Sequence, residues 1–335
     1  MGSFERHHNG NTWRTVKSAL EALDYQVKAT EHRASGGPGL ISPYHLGFPH
    51  HRERFFIVAS TEDLPDRVFP KPDRNRRTHI ENIVQDKLFG DDQEETKLSQ
   101  RHVSCIDHWN KLLKLLPEET FPNLPSFPIW GDELGATYPY EDGTPLLLTK
   151  KELISHLHPN GAGEFAEFSK AALLDLLPAY ATRGTQFPQW KIRFIKQNRE
   201  WFASISDRIP EGWQDRLQKF PPSLRKLEWN CKGEERNLWE HILQFRSSGL
   251  RVKRYENIPS LVAMTTTQIP ILGPKRRFIT RREGLKLQGF RDDGFALPKS
   301  RDDAFKALGN AVHVGVVKAI AKGLMAQIGV DEGRR

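Results

Sequence analysis

The spacing of apolar positions changes period along the chain. In NTWRTVKSALEAL (11–23), Trp13, Val16, Leu20 and Leu23 recur at helical spacing, so the segment predicts an amphipathic helix that Asn11 or Thr12 can cap. YQVKAT (25–30) predicts a strand, and RFFIVAS (54–60) a second, buried one. Between them ASGGPGLISPYHLGFPHH is rich in Gly and Pro and predicts a loop. Helix, strand, loop and strand in this order make a fragment of an α/β sheet.

Residues 61–185 keep no sustained period. TEDLPDRVFPKPDRNRRTH predicts a charged connection, IENIVQD and DHWNKLLKLLP predict helices, and FPNLPSFPIWGDELGATYPYEDGTP predicts irregular chain. A strongly amphipathic helix returns at 189–205. Near the end, Thr280-x-x-Glu283 is a capping box that opens a helix, and Gly289 can stop it. Ser300-x-x-Asp303 opens another, with Phe305, Leu308, Val312, Val316, Ala319 and Ile320 on one side. Gly309-Asn310 interrupts that apolar helix. Such a pair is locally unfavourable there, which points to a close backbone approach or a ligand.

At 335 residues the chain is long enough for about two domains, and 8 Trp with 19 Phe can fill a core. No run of 18 apolar residues occurs, so no membrane span is expected. Two cysteines, Cys105 and Cys231, cannot make a disulfide framework, which points to a reducing, cytoplasmic compartment. The net charge is +8, and residues 186–277 carry 18 Lys/Arg against 9 Asp/Glu. A basic segment beside a nearly neutral remainder points to a polyanion such as nucleic acid, or else to a solvated face.

The densest local chemistry is GFPHHRERFFIVAS (47–60). Arg52 and Arg54 stand at alternate positions, and alternate residues on an extended chain point the same way. Both can then aim at one anionic or carbonyl-rich ligand, or stand as surface arginines paired to an acid such as Glu53. His102-x-x-Cys105-x-x-His108 offers three candidate ligands with no matching second half, so no metal site is expected. Ser35-Gly36-Gly37-Pro38-Gly39 lacks the strand-to-helix context of a dinucleotide loop and predicts a plain loop. In 186–277, aromatic and basic residues interleave. Arg251, Lys253 and Arg254 are candidate DNA contacts, and Trp190, Phe194 and Trp201 fit the core side of a helix.

Three blocks together resemble the DNA (cytosine-5) methyltransferase family. Gly47-Phe48-Pro49-His50-His51-Arg52-Glu53-Arg54 resembles its Gly-x-Pro-Gln-x-Arg-x-Arg block, with His50 in place of Gln. Arg277-Phe278-Ile279-Thr280-Arg281-Arg282-Glu283, followed by Leu287-Gln288-Gly289-Phe290, resembles its Arg-x-Leu-Thr-x-Arg-Glu and Leu-Gln-Gly-Phe block. Leu308-Gly309-Asn310-Ala311-Val312 resembles its final Gly-Asn-Ser/Ala-Val block. The likeness covers about 11–60 and 258–328, in the order of the family's C-terminal part. The family's Gly-rich cofactor loop, Pro-Cys nucleophile and Glu-Asn-Val acid have no counterpart; Cys105 follows Ser and Cys231 follows Asn.

The resemblance implies an α/β fold, a partial doubly wound S-adenosylmethionine methyltransferase sheet, with an irregular α+β target recognition domain. Residues 1–62 and 271–335 would belong to the catalytic domain and 63–270 to the recognition domain. It implies methylation of cytosine C5 in double-stranded DNA from S-adenosylmethionine, in a restriction–modification setting. Arg54 would hold the pyrimidine O2 with Arg52 supporting it, and Asn310 and Ala311 would line an edge of the cofactor pocket. A second methyltransferase subunit would bring the missing loop, nucleophile and acid. The alternatives are an inactive truncated remnant and a non-catalytic DNA-binding protein. In the two-subunit case Val16, Leu20, Val58, Val312, Val316 and Ile320 are expected near the seam between chains.

Overall fold

The computed structural model describes residues 3–31, 39–72, 79–157, 165–263, 266–291 and 294–325. The chain divides into two compact units: the first is Met1–Lys97 with Arg254–Arg335, the second Leu98–Lys253. The expected boundaries after residues 62 and 270 both fall inside the first unit. Residues 63–72 and 79–97 pack there for plain physical reasons. Leu64 and Val68 join an apolar cluster with Ile41, Val58, Val316 and Ile320. The Gln85 backbone N–H donates to Glu283 Oε1 at 2.7 Å, and its carbonyl accepts from Arg277 Nη2 at 3.1 Å.

The first unit opens with α1 (Ser3–Arg6), α2 (Asn11–Glu21) and strand β1 (Gln26–Ala29). Gly10, at φ +84°, holds the N-cap of α2 with no side-chain bond, so neither Asn11 nor Thr12 caps it. Trp13 is the buried anchor of α2: it meets the Phe55 ring edge-on at 5.2 Å and donates to Glu31 Oε1 at 3.0 Å. Leu23 lies beyond the helix end and is exposed. Strands β2 (His50–His51) and β3 (Ile57–Ser60) follow. β1 pairs antiparallel with β3, Val27 opposite Ala59. Ile57 is exposed at the start of β3, so that strand is buried at Val58 rather than throughout. IENIVQD makes only a 3-10 turn, Ile80–Asn82. Of the glycine-rich loop, Ser35 to Pro38 lie outside the described residues. α3 (Asp91–Glu95) ends this part.

The second unit contains α4 (Gln100–Lys114), β4 (Ile129–Trp130), α5 (Lys150–Leu157), α6 (Lys170–Asp175), α7 (Gln189–Ser204) and α8 (Trp213–Gln218). Strands β5 (Lys226–Asn230), β6 (Ile242–Arg246) and β7 (Gly249–Lys253) complete it. They assemble in the order β4-β5-β7-β6, with β5 and β7 parallel and the other two pairs antiparallel. Alternation sorts the side chains. Leu227, Trp229, Leu243, Phe245, Leu250 and Val252 form one apolar face, and Lys226, Glu228, Arg246, Arg251 and Lys253 fall on the other. Gly249, at φ +127°, is required where β7 begins: a Cβ there would sit 2.8 Å from the Lys226 carbonyl oxygen.

The chain then returns to the first unit through β8 (Ile258–Pro259), the antiparallel pair β9 (Ile271–Leu272) and β10 (Arg277–Phe278), α9 (Arg281–Leu287), α10 (Arg301–Asn310) and α11 (Val314–Met325). β2 pairs in parallel with β8, His50 opposite Ile258. The Thr280/Glu283 capping box is complete in both directions, and Gly289, at φ +79°, follows the helix end. Ser300 caps α10 by accepting from the Asp303 N–H. Residues 301–325 are the one described stretch long and apolar enough to cross a membrane. Its helix breaks at Ala311–His313, and Val316 and Ile320 are buried in the unit's own core. Of the six seam residues, Val58, Val316 and Ile320 therefore close on each other, whereas Val312 is 47% exposed.

Candidate functional site

The site grows from the short strand β2 and the chain that follows it. Ser42 Oγ accepts from the Arg52 backbone N–H at 2.9 Å and donates to the His50 carbonyl at 3.4 Å, which fixes the extended path of 50–52. The Arg52 side chain is then buried. Its Nη1 donates to Ser260 Oγ at 3.3 Å and to the Leu261 carbonyl at 2.9 Å. Its Nη2 donates to the carbonyls of Gly309 at 2.5 Å and Ala311 at 3.1 Å. One planar fork thus joins the chain after β2, the chain after β8 and the end of α10, a role suited to guanidinium geometry. Burial, with Arg54 nearby, lowers its pKa to about 10, so it remains charged at neutral pH.

Gly309 explains the helix break. A Cβ there would lie 2.5 Å from the Ala263 nitrogen and 2.8 Å from the Val262 carbonyl carbon, so only glycine admits this approach. Gln288 adds a second clamp by donating to the Leu308 carbonyl at 2.6 Å, and its own carbonyl accepts from the Val314 N–H at 2.9 Å. Asn310 stays exposed at the helix end. Ala311, half-buried, uses its N–H on the Ala307 carbonyl and its C=O on Arg52.

Arg54 differs from Arg52. Its backbone bridges Ile41 in both directions, at 2.9 and 3.0 Å, while its half-buried guanidinium donates to the Glu53 carbonyl at 2.7 Å. Burial lowers its pKa from the usual arginine value. The alternate arginines therefore divide their roles, because Arg52 is committed to four protein acceptors and Arg54 is not.

His50 is fully buried, and neither ring nitrogen has a hydrogen-bond partner among the described residues. Its ring lies 6.2 Å from that of His313, which packs on Phe48 at 4.4 Å. Burial first, then the neighbouring charges, holds His50 well below the usual histidine range and brings His313 down to about 4. Sequence reasoning marked His50 only as a departure and did not single out His313. The buried partners of Arg52 carried no side-chain signal either, because three of them are backbone carbonyls.

The other candidates lie elsewhere. Arg251 and Lys253 share the polar face of β7 in the second unit; Arg254 is exposed and begins the returning part of the first. Glu228 holds Arg251 at 3.1 Å and Arg246 at 3.3 Å. His102, Cys105 and His108 do not converge: His102 stacks on Phe245 at 4.7 Å, Cys105 meets the Leu224 carbonyl at 3.5 Å, and His108 stacks on Trp213 at 4.7 Å. No group of three potential metal ligands occurs among the described residues. Both cysteines are buried, and burial pushes the Cys105 thiol up to about 12.

The family model for C-5 cytosine-specific DNA methylases matches residues 2–126 and 148–326. The chain belongs to this family. Its likeness is therefore not confined to 11–60 and 258–328. It is 27% identical over 373 residues to the type II methyltransferase M.AluI of Cellulosimicrobium cellulans, covering 96% of this chain and 68% of that protein. It is 30% identical over 95 residues to the type II methyltransferase M.HhaI of Haemophilus parahaemolyticus, covering 28% of this chain and 25% of that one. Among solved structures, the Entamoeba histolytica methyltransferase EhMeth aligns with a TM-score of 0.36 at 11% identity, over 95% of this chain and 58% of that chain.

Proposed function

We propose that this member of the family takes part in methylation of cytosine at C5 in double-stranded DNA, in a restriction–modification setting like that of its type II relatives. The first unit would supply the catalytic-domain segments, a part of the doubly wound methyltransferase sheet. The second, with Arg251 and Lys253 and followed by Arg254, would read and hold the DNA. The state of the cysteines carries the further reading that a second chain contributes to the reaction. The chemistry requires a thiolate to attack C6. Cys105 and Cys231 are both buried in the second unit, neither follows a proline, and Cys105 titrates far above neutrality. The nucleophile then comes from residues outside this sequence.

S-adenosylmethionine, when bound, supplies the electrophilic methyl group, and Asn310 with the Ala311 methyl would hold one edge of it. This chain's own contribution is electrostatic. As C6 is attacked, negative charge builds on the pyrimidine ring, and the Arg54 guanidinium donates to its O2. Arg52 keeps the supporting segments in place. Methyl transfer to duplex DNA by the 335-residue chain is expected to be nil, and to appear when a protein bearing a Pro-Cys and a Glu-Asn-Val block is added. In that mixture Arg54→Ala lowers the rate about 100- to 1,000-fold with DNA affinity unchanged. Methylation by the chain alone, or a covalent adduct at Cys105 or Cys231, would overturn the two-chain reading.

A further inference from the structure

We propose that Trp190 is a base-stacking contact for DNA: its indole covers the face of a nucleobase, and Lys191 and Arg193 meet the flanking phosphates. The inference rests on the DNA-binding reading of the second unit and names a contact within it.

The first observation is where the aromatic side chains of α7 go. Phe202 is buried, and Phe194 packs on the cluster of Trp130, Tyr138, Ala181, Phe187 and Ile195. Trp190 does not join that core; it is 51% exposed. Its ring meets Phe194 at 5.9 Å in a T-shaped contact, which gives the half-exposed indole a fixed neighbour. A lone exposed tryptophan is unremarkable; its cationic surroundings make it informative.

Lys191 Nζ lies 5.7 Å from the Trp190 ring centre and 5.4 Å from that of Phe187, and donates to the Tyr180 carbonyl at 3.1 Å. The Arg193 guanidinium is 6.0 Å from the Phe194 ring. Lys226 Nζ lies 4.7 Å from both Trp130 and Tyr180. Partial burial disfavours the charge on Lys191 and Lys226; Arg183 opposes Lys191 further, whereas at Lys226 the Asp132 carboxylate supports the charge more than Lys191 opposes it. The carboxylates nearest Lys226 are already engaged: Asp132 with Arg225 at 3.2 Å, Glu133 with Arg199 at 2.9 Å. A phosphate arriving at Lys191 offsets both its burial and the repulsion from Arg183. An aromatic face flanked by cations is the arrangement that binds nucleic acid by stacking plus phosphate contact. An apolar protein surface would cover the indole but would leave the ammonium groups worse off.

The test uses the 335-residue chain and two duplexes of roughly 30 base pairs, longer than the roughly 10 base pairs of one helical turn. One duplex is fully paired and the other has a single unpaired cytosine, and affinity is measured across a salt series. Stacking of one base is worth about 1–3 kcal/mol, so Trp190→Ala should weaken binding to the duplex with the unpaired base by roughly 5- to 150-fold. Its salt dependence should not change. Trp190→Phe, which keeps a π-face, should retain most of the affinity. Lys191→Gln with Arg193→Gln should instead lower the slope of log affinity against log salt by up to about 1.8, at about 0.9 per phosphate contact. Equal binding by wild type and Trp190→Ala overturns the proposal, as does a Trp190→Ala loss that travels with the salt slope. A wild-type chain that binds neither duplex overturns the DNA reading itself, a result distinct from either.

Discussion

The Arg52 site of the first unit and the Glu133 network of the second hold their buried cations in opposite ways. In the second, a guanidinium meets a carboxylate. Glu133, wholly buried, accepts from Arg199 Nε at 2.9 Å, from the Tyr180 hydroxyl at 2.6 Å and from the Tyr138 hydroxyl. Nearer to solvent, Glu228 serves both Arg246 and Arg251. At the site of the first unit, Arg52 meets only neutral oxygens, three carbonyls and a hydroxyl. Carbonyl dipoles satisfy the hydrogen bonds of a guanidinium without cancelling its charge, whereas a carboxylate does both. The Glu133 network therefore commits its buried charges to architecture, as does the buried Arg277–Glu283 pair of the first unit at 2.6 Å. The Arg52 site keeps a net positive charge beside the Gly309–Asn310 edge, and that charge helps keep His50 and His313 neutral. Sites that keep their charge are suited to an anionic or electron-rich ligand; sites that cancel it are suited to holding a fold.

The sharpest way to break this contrast is at Glu133. Glu133→Ala leaves Arg199 buried without its carboxylate and two tyrosine hydroxyls without their acceptor. The expected loss is about 3–5 kcal/mol, read as lost hydrogen-exchange protection confined to peptides of residues 98–253. A loss below about 1 kcal/mol would mean the network is already wet and does not hold that unit together.

Acid should strain the chain next. His313 titrates near 4 in the folded protein against about 6.5 unfolded, so the unfolded chain binds the extra proton. Stability is then full above about pH 6.5 and falls as the pH drops towards 4. The total is on the order of 3 kcal/mol at about 1.36 kcal/mol per pH unit. His50 adds in the same direction. His108 in the second unit, near 4 through burial and the charges of Arg216 and Lys111, has the same dependence. Urea unfolding between about pH 7 and 4 checks this: His313→Gln and His108→Gln should each remove part of the slope. Unchanged slopes in both variants would place the titration elsewhere.

Arg52→Met should cost less than the loss of Glu133, about 2 kcal/mol for the charge-assisted hydrogen bonds it removes. The loss should appear in exchange at 260–263 and 309–311, the segments that the guanidinium joins. Loss of protection spread over both units would contradict a local clamp. The smallest stability effect belongs to Arg251→Ala with Lys253→Ala, below about 1 kcal/mol because these groups lie on a solvent-accessible sheet face. The same pair should still flatten the salt dependence of DNA binding, by about 0.9 for each phosphate no longer neutralised. An unchanged slope would assign this face to solvent.

Local chemistry was legible in the sequence wherever it rests on neighbours along the chain. The Thr280/Glu283 box, the helix over 189–204, the helix break after Gly309-Asn310 and the three family blocks all depend on spacings of a few residues. Such spacings carry their own physics through capping and helical period. Less was legible at Trp190, which has the period of a core position and yet stands outside, because period describes a face and not what covers it. The cap of α2 escaped for a related reason: Gly10 supplies it through a left-handed backbone, with no side chain to give it away.

By itself, then, the sequence determined the family, the order of its blocks and the Arg-x-Arg pair of Arg52 and Arg54. Tertiary structure decided which of two neighbouring arginines was available. Arg52 and Arg54 are equivalent as letters in an Arg-x-Arg pair, and nothing local distinguishes them. Four oxygens brought from residues more than 200 positions away bind one and not the other. Three of those are backbone carbonyls that any residue would present. The role of a buried charge is set by the partners that folding delivers to it, and identical backbone groups leave no trace in the sequence that delivers them.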